Sequence, residues 1–302
     1  MGKGKKGSHL AHSRSDKVFL FINYAILSLF TLSVLYPLIY VLSASFSSTE
    51  AIMQGKVWLL PVQPTLDGYK AVFEYKYIGI GFGNSLIYAV AGTALNVVLT
   101  ILAAYPLSRP DFDGRKAFML LFVFATMFSG GLIPSYMLVK DLSLLNTYWA
   151  LIIPGGLSIW NAIMMRTYFK TTIPGEMLEA AQIDGCSDVK YLLRIVLPLS
   201  GPIIAVVALF CAVGFWNQYF SAAIYLSDKN LFPLQLIMRD ILIQNEIDMS
   251  MLSNVEEVVK RNGLRELLKY ALIVIASAPV LIIYPFVQKH FVKGIMIGSL
   301  KG

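Results

Sequence analysis

The feature that most constrains this chain is a run of 25 residues, Val18 to Leu42, that holds no charged side chain. About 20 apolar residues are enough to cross a bilayer as a helix, because only an intrahelical ladder can satisfy backbone groups in hydrocarbon. Five more apolar segments follow, giving six in all, at about 18–42, 82–107, 117–139, 148–166, 199–226 and 270–287. None contains Asp or Glu. Prolines in or near them (Pro37, Pro106, Pro134, Pro154, Pro279, Pro285) do not exclude helices, since neighbouring helices and side chains can take up the freed backbone groups. Composition agrees: 57% of the 302 residues are hydrophobic and only 14% are charged, against roughly 25% charged in soluble domains. Such a chain cannot hide its apolar surface as an ordinary cytosolic enzyme, and it is too hydrophobic for disorder. The reading is an all-α polytopic membrane protein.

The formal charge of +7 does not point to nucleic acid, because the basic residues alternate with apolar blocks instead of forming one stripe. With the N-terminus inside, inner segments hold 15 of the 25 Lys and Arg, and six of the other ten sit in one long outer loop. The short loop at Arg109, Arg115 and Lys116 has three, against Lys140 alone in the following connection. By the positive-inside rule both termini are cytosolic. The first apolar run is too long for a cleaved signal peptide, whose core is about 7–15 residues, and reads as a retained span. Residues 1–16 form a basic tail expected to be disordered, and residues 17–302 one transmembrane domain. Cys186 and Cys211 fall on a loop and in a span, so they are read as buried thiols without a disulfide.

Chemistry is notable for its absence. No phosphate-binding G-x-x-x-x-G-K-[ST] occurs, so the chain is expected to bind no nucleotide or other cofactor itself. Gly79-x-Gly81-x-Gly83 precedes an apolar span, with no strand before it, and is read as a place where backbone approaches a neighbour. His9, His12 and His290 lie in the tails without metal-ligand spacing. An ion-coupled transporter commonly keeps a carboxylate or histidine relay in its spans; here the only charge is Arg166, at the end of the fourth, where it can snorkel to the interface. A membrane enzyme needs a positioned acid, base, metal or nucleophile. Any work of transport therefore draws on a partner.

One loop, about 170–198, stands apart. Pro174 suits a first helical position and Glu176 the first turn; Gly185 ends that helix; Ser187 can cap a second, and Pro198 bends the chain into the fifth span. Ala180 and Ala181 leave a low ridge that another protein could approach closely. The loop reads equally as a hairpin lying on the membrane, given Tyr191, Leu192, Leu193, Ile195 and Val196. The outer loop 227–269 carries Leu252, Val255, Val258 and Val259 at helical spacing, which predicts a short amphipathic helix serving either a partner or the protein's own outer face.

Glu179-Ala180-Ala181-x-x-x-Gly185, nine residues, then Ile195-x-Leu197-Pro198 matches at every fixed position the EAA signature of ABC importer permeases. Asn84-Ser85-Leu86, Thr93, Ala104 to Arg109 and Trp216-Asn217 are similar to MalG-like carbohydrate permeases, and the ending from Tyr284 to Gly302 resembles an LplC/YtcP-like branch. Pro106 departs from the alanine that many relatives carry and is expected to kink the end of the second span. The resemblance implies a type I importer fold with six spans and a cytosolic coupling hairpin that docks on an ATPase, Glu179 as charged anchor, Ala180 and Ala181 for close contact and Gly185 for the turn. It also implies a second homologous permease subunit, two ATP-binding subunits that hold ATP and Mg, and an extracellular solute-binding protein. The loop 227–269 resembles one that touches the binding protein, and the tail 293–302 one that reaches towards the ATPases.

A sugar offers apolar ring faces and polar rims, so aromatic rings and amides suit it. Candidates along a substrate pathway are Asn84, Trp160, Asn161, Trp216, Asn217, Gln218 and Tyr219; each also reads as glue between helices or as an interfacial anchor. The expected function is a permease subunit for oligosaccharides in the bacterial cell membrane. An importer for another solute such as a glycerol phosphate or polyamine, an ion-coupled transporter and a membrane enzyme are the alternatives.

Overall fold

A computed structural model of the chain describes residues 14–247, 263, 266 and 268–285. In chain order the helices are α1 (Arg14–Ser45), α2 (Thr49–Met53), α3 (Asp67–Glu74), α4 (Lys76–Ser108), α5 (Arg115–Met127), α6 (Leu132–Asp141), α7 (Trp149–Ile152) and α8 (Ile159–Thr172). There follow α9 (Gly175–Ile183), α10 (Asp188–Tyr191), a π-helical turn (Leu192–Val196), α11 (Leu197–Leu199), α12 (Gly201–Trp216), α13 (Phe220–Tyr225) and α14 (Leu234–Ile247), and then α15 (Leu268–Pro285). No strand occurs among the described residues. The chain divides into two compact units, residues 1–70 with 256–274 and residues 71–255 with 275–302.

In the first unit, α1 buries only Ser43, Ala44 and Ser45, at its end. Its large apolar side chains, Phe19, Phe21, Leu29 and Phe30 among them, are exposed. A helix bare and greasy all round suits hydrocarbon, not water. Its hydroxyls are satisfied within the helix: Thr31 Oγ1 donates to the Leu27 carbonyl at 2.7 Å and Ser33 Oγ to that of Phe30 at 2.8 Å. Past its end the chain folds back on serine hydroxyls. Ser43 Oγ donates to the Leu59 carbonyl at 2.7 Å, and Ser47 Oγ accepts the Val62 amide at 3.0 Å. Ala44, Ala51, Ile52, Val57 and Tyr270 make the core there.

The second unit is organised by α4. Its buried positions, among them Gly81, Asn84, Ser85, Tyr88, Gly92, Asn96, Thr100, Ala104 and Leu107, recur every three or four residues and are mostly small. Lipid supplies no hydrophobic drive between helices, so close backbone approach and hydrogen bonds hold such a seam. α12, α8 and α14 pack along it. Gly81 shows the closeness: an added Cβ would stand 3.2 Å from the backbone of Leu234. That is the close approach expected of the glycine triplet, but it falls on Gly81 alone, since a Cβ on Gly79 or Gly83 meets nothing within 4 Å. The Ser85 hydroxyl accepts the Leu234 amide at 2.9 Å. The Asn84 amide donates to the carbonyls of Asn230 and Phe232 at 2.7 and 3.1 Å and accepts the Tyr148 hydroxyl at 2.9 Å.

Three of the six apolar segments are continuous helices long and apolar enough to cross a membrane, namely α1, α4 and α15. The others are broken. The third segment bends by 114° between α5 and α6, where Gly131 takes φ +85°. The fourth parts at residues 153–158, around Pro154-Gly155-Gly156, so that α7 and α8 are separate. The fifth bends by 81° at Ser200 and stops at Trp216 before α13 begins. Counting each bent pair as one span gives up to five among the described residues. α4 runs two residues past Pro106 and then ends. α14 fills part of a segment read as loop, while the amphipathic stretch 252–259 lies outside the described residues, as do residues 1–13 and the chain from 286 onward.

Candidate functional site

The loop 170–198 is the expected helical hairpin. Pro174 stands just before α9, not inside it. The helix closes through a Schellman arrangement: Gly185 at φ +68° donates its amide to the Gln182 carbonyl at 3.0 Å, and Cys186 donates to that of Ala181 at 2.9 Å. Ser187 takes the cap position of α10, but its hydroxyl makes no cap bond. The π turn that contains Ile195 precedes Leu197 and Pro198. Proline has no N–H for the Arg194 carbonyl, and a wider turn accommodates that loss.

The two arms of the hairpin have opposite faces. Leu178, Ala181, Tyr191, Leu192 and Val196 are buried with Met165 and Phe169 of α8 and Ala104 of α4, while Ile195 and Leu197 pack against this core half-buried. Glu179 and Ala180 are exposed, and so are Ile183, at 87%, and Val189 on the second arm. The structure thus separates the two alanines. Ala180 belongs to the open ridge; Ala181 lets α9 lie close to its own core. Cys186 is not buried as expected, but half-exposed; Cys211 is buried, and both thiols are free.

Arg109, where the chain leaves α4, ties the hairpin to that helix. Its Nε donates to Asp111 Oδ1 at 2.7 Å, while Nη1 lies 2.9 Å from both the Tyr105 hydroxyl and Asp188 Oδ1. Asp188 is the first residue of α10. The hydrogen bonds from the guanidinium hold the Asp111 carboxyl below the usual carboxylate range, and those to Asp111 hold Arg109 above its ordinary value. Arg115 Nη1 donates to the Arg109 carbonyl at 3.0 Å. Arg166 does more than reach an interface, since its Nε donates to the Leu107 carbonyl at the end of α4 at 3.1 Å. Arg109 was legible in the sequence as an inward-side charge and as the end of the run Ala104 to Arg109, but not as a partner of the hairpin; the acidic residue opening α10 was the signal for that.

A second feature is a cavity of about 730 Å³. It lies where two helices break, at 153–158 and at 217–219, and irregular backbone at membrane depth is tolerated where it lines a cavity. Trp160, Asn161, Asn217, Gln218 and Tyr219 all line it, and none of its lining residues is charged. Trp160 is 70% exposed. Asn84 and Trp216 are not in the lining. Asn84 holds the loop before α14, and Trp216 Nε1 donates to the Ala276 carbonyl at 2.9 Å with its ring edge-on to Phe82. Along the cavity wall, where Asn96, Asn161 and Cys211 stand, runs a polar chain of which the sequence nominated only Asn161. Asn96 donates to the Gly155 carbonyl at 2.8 Å, freed by the break in the fourth segment, and its Oδ1 accepts from Thr100 and from the Cys211 thiol, each at 3.1 Å. Asn161 donates to the Cys211 sulfur at 3.4 Å. An amide in the apolar middle of α4 was the available signal.

Apolar helices, a hairpin with one open face and a charge-free cavity between broken helices together point to a membrane transport subunit. Residues 7–297 match the family described as the binding-protein-dependent transport system inner membrane component, and the chain belongs to that family. It is 41% identical over 288 residues to the polygalacturonan/rhamnogalacturonan transport system permease protein YtcP of Bacillus subtilis (strain 168), covering 95% of this chain and 99% of that one. It is 39% identical over 295 residues to Protein LplC of the same organism, covering 97% and 99%. A chain in the crystal structure of a bacterial ABC transporter involved in the import of the acidic polysaccharide alginate superposes with a TM-score of 0.84 at 34% identity, covering 93% of this chain and 99% of that one. The chain is thus an integral membrane permease of the ABC type.

Proposed function

We propose that this chain is one of two permease subunits of an importer that takes up oligosaccharides across the bacterial cell membrane by alternating access. It contributes six spans, three of them broken, with both termini cytosolic. It carries no ATPase site; ATP and Mg act at two separate ATP-binding subunits, and an extracellular solute-binding protein delivers the substrate. The observation that carries this reading is the hairpin. One face is seated in the core against α4, α8 and α12, while Glu179, Ala180 and Ile183 stand open on the other. That is the geometry of a lever: a partner grips the open face, and rigid packing carries its motion into the helices. Relatives named for polygalacturonan/rhamnogalacturonan transport and for alginate import support an oligosaccharide as cargo. So does the cavity, where Trp160 and Tyr219 offer ring faces and Asn161, Asn217 and Gln218 offer amides to hydroxyl groups.

The test is Glu179→Ala in the assembled transporter in liposomes, with its binding protein and a panel of oligosaccharides. Uptake and substrate-stimulated ATP hydrolysis are expected to fall by about tenfold, within the range of coupling between distant sites. Unchanged uptake and stimulation would remove Glu179 from the mechanism. Uptake that needs an ion gradient and no ATPase would overturn the reading as a whole.

A further inference from the structure

The hairpin has two arms joined at Gly185, whose left-handed backbone meets nothing within 4 Å of an added Cβ. Motion delivered at Glu179 on the first arm passes to the second through this turn, so how far it reaches α4 depends also on how the second arm is tied to that helix. Arg109 adds a polar hold at the start of that arm, ahead of the apolar contacts of Tyr191, Leu192 and Val196. Its guanidinium is 9% exposed and joins three segments. Nε and Nη2 form a fork on Asp111, two residues on. This fixes the plane of the group and leaves Nη1 pointing at the Tyr105 hydroxyl on the last turn of α4 and at Asp188 on α10. The Tyr105 hydroxyl donates to the backbone carbonyl of Asp188 at 3.3 Å, closing the link a second way.

We infer that Arg109 is a positioning residue of the transport cycle, which fixes α10 to the end of α4 so that displacement of the hairpin moves α4 and is not absorbed at Gly185. The inference rests on the reading of the hairpin as the point where the ATPases act. Stability alone is a poor explanation for the cluster. The Asp188 carboxylate is 71% exposed, and an ion pair with an exposed, screened partner contributes little to folding. The hairpin is already seated by Leu178, Ala181, Tyr191, Leu192 and Val196. What the pair adds is direction, because a planar fork fixes three acceptors at once, which a lysine ammonium on a flexible stem does not. α4 is also the helix that α12, α8 and α14 pack on, and through Asn96 it borders the cavity.

The experiment measures solute uptake and ATP hydrolysis in parallel on the complete reconstituted transporter carrying Arg109→Gln, Arg109→Lys, Asp188→Asn or Asp188→Glu. Solute carried per ATP hydrolysed is expected to fall by about fivefold or more in Arg109→Gln, Arg109→Lys and Asp188→Asn, with assembly unchanged in all three and thermal unfolding unchanged in Asp188→Asn, and to be restored in large part in Asp188→Glu. An unaltered ratio in the first three sinks the inference. So does a parallel loss of assembly, hydrolysis and uptake, which marks a merely structural staple. Should Arg109→Gln fail to fold, Asp188→Asn decides alone, since its carboxylate is at the surface. Glu179→Ala is run alongside. If it transports normally, the reading of the hairpin has failed; if it uncouples while the Arg109 and Asp188 variants do not, only the present inference has.

Discussion

The ring of Phe215 occupies the space that a side chain at Gly92 would need: an added Cβ would stand 2.6 Å from two of its ring carbons. The same ring lies 3.0 Å from a Cβ built on Gly155. Phe215 lines the cavity, so two glycines on different segments make the slot for one of its walls. Gly92→Ala is expected to destabilise the protein by about 1–3 kcal/mol, the usual cost of forcing atoms into a filled core. Combining it with Phe215→Leu should recover much of that loss. Thermal unfolding of the purified protein in detergent measures both, and additivity of the two changes would refute the slot.

Two tryptophans from the same set of candidates should separate by phenotype. Trp160→Ala is expected to leave stability unchanged and to raise the half-saturating oligosaccharide concentration about fivefold, equivalent to the ~1 kcal/mol of an aromatic contact. Trp216→Ala should instead destabilise the fold by about 3–5 kcal/mol, as truncation of a buried large ring does, because its N–H is held by Ala276 and its ring by Phe82. Uptake kinetics and thermal unfolding on both variants check this, and the reverse assignment would contradict it.

Gly185→Ala tests the turn itself. No atom obstructs a methyl group there, so the cost is that of a left-handed backbone alone, about 1–2 kcal/mol for a residue with a Cβ. Gly185→Asn should cost less, since asparagine tolerates that conformation best among the others. Chemical unfolding of the two variants should rank them in that order; equal stabilities would mean that the turn relaxes to another conformation.

Acid should loosen the Arg109 cluster from the Asp111 side. A carboxyl held below its unfolded value stabilises fully above the unfolded pKa, about 3.9 for Asp, and that contribution is lost as pH falls through the depressed folded value. Stability from this group is therefore flat from pH 8 to pH 5 and declines below about pH 4. Asp111→Asn should lower stability at neutral pH slightly and flatten the acid limb of the curve. An unfolding midpoint that falls with pH as steeply in the variant as in the parent would assign the acid limb elsewhere.

The apolar segments were legible in the sequence because bilayer thickness and backbone hydrogen bonding leave a spanning stretch few options: α1, α4 and α15 coincide with the runs at 18–42, 82–107 and 270–287 to within a few residues of the described chain. The hairpin was legible too, since Gly185 and the residues around it carry local backbone rules that need no tertiary context. The breaks at 128–131, 153–158 and 217–219 were not. Hydrophobicity records whether a residue prefers lipid, and it does so equally on either side of a break. Whether the freed carbonyl finds a donor, as Gly155 does in Asn96, depends on a residue 59 positions away. The same limit applies to chemistry. Sequence alone could nominate seven polar and aromatic candidates for a substrate path. Only the packing of α4, α8, α12 and α13 decided that five of them face one cavity while Asn84 turns to the loop before α14 and Trp216 to Ala276 of α15, because a side chain's direction is set by what its helix packs against.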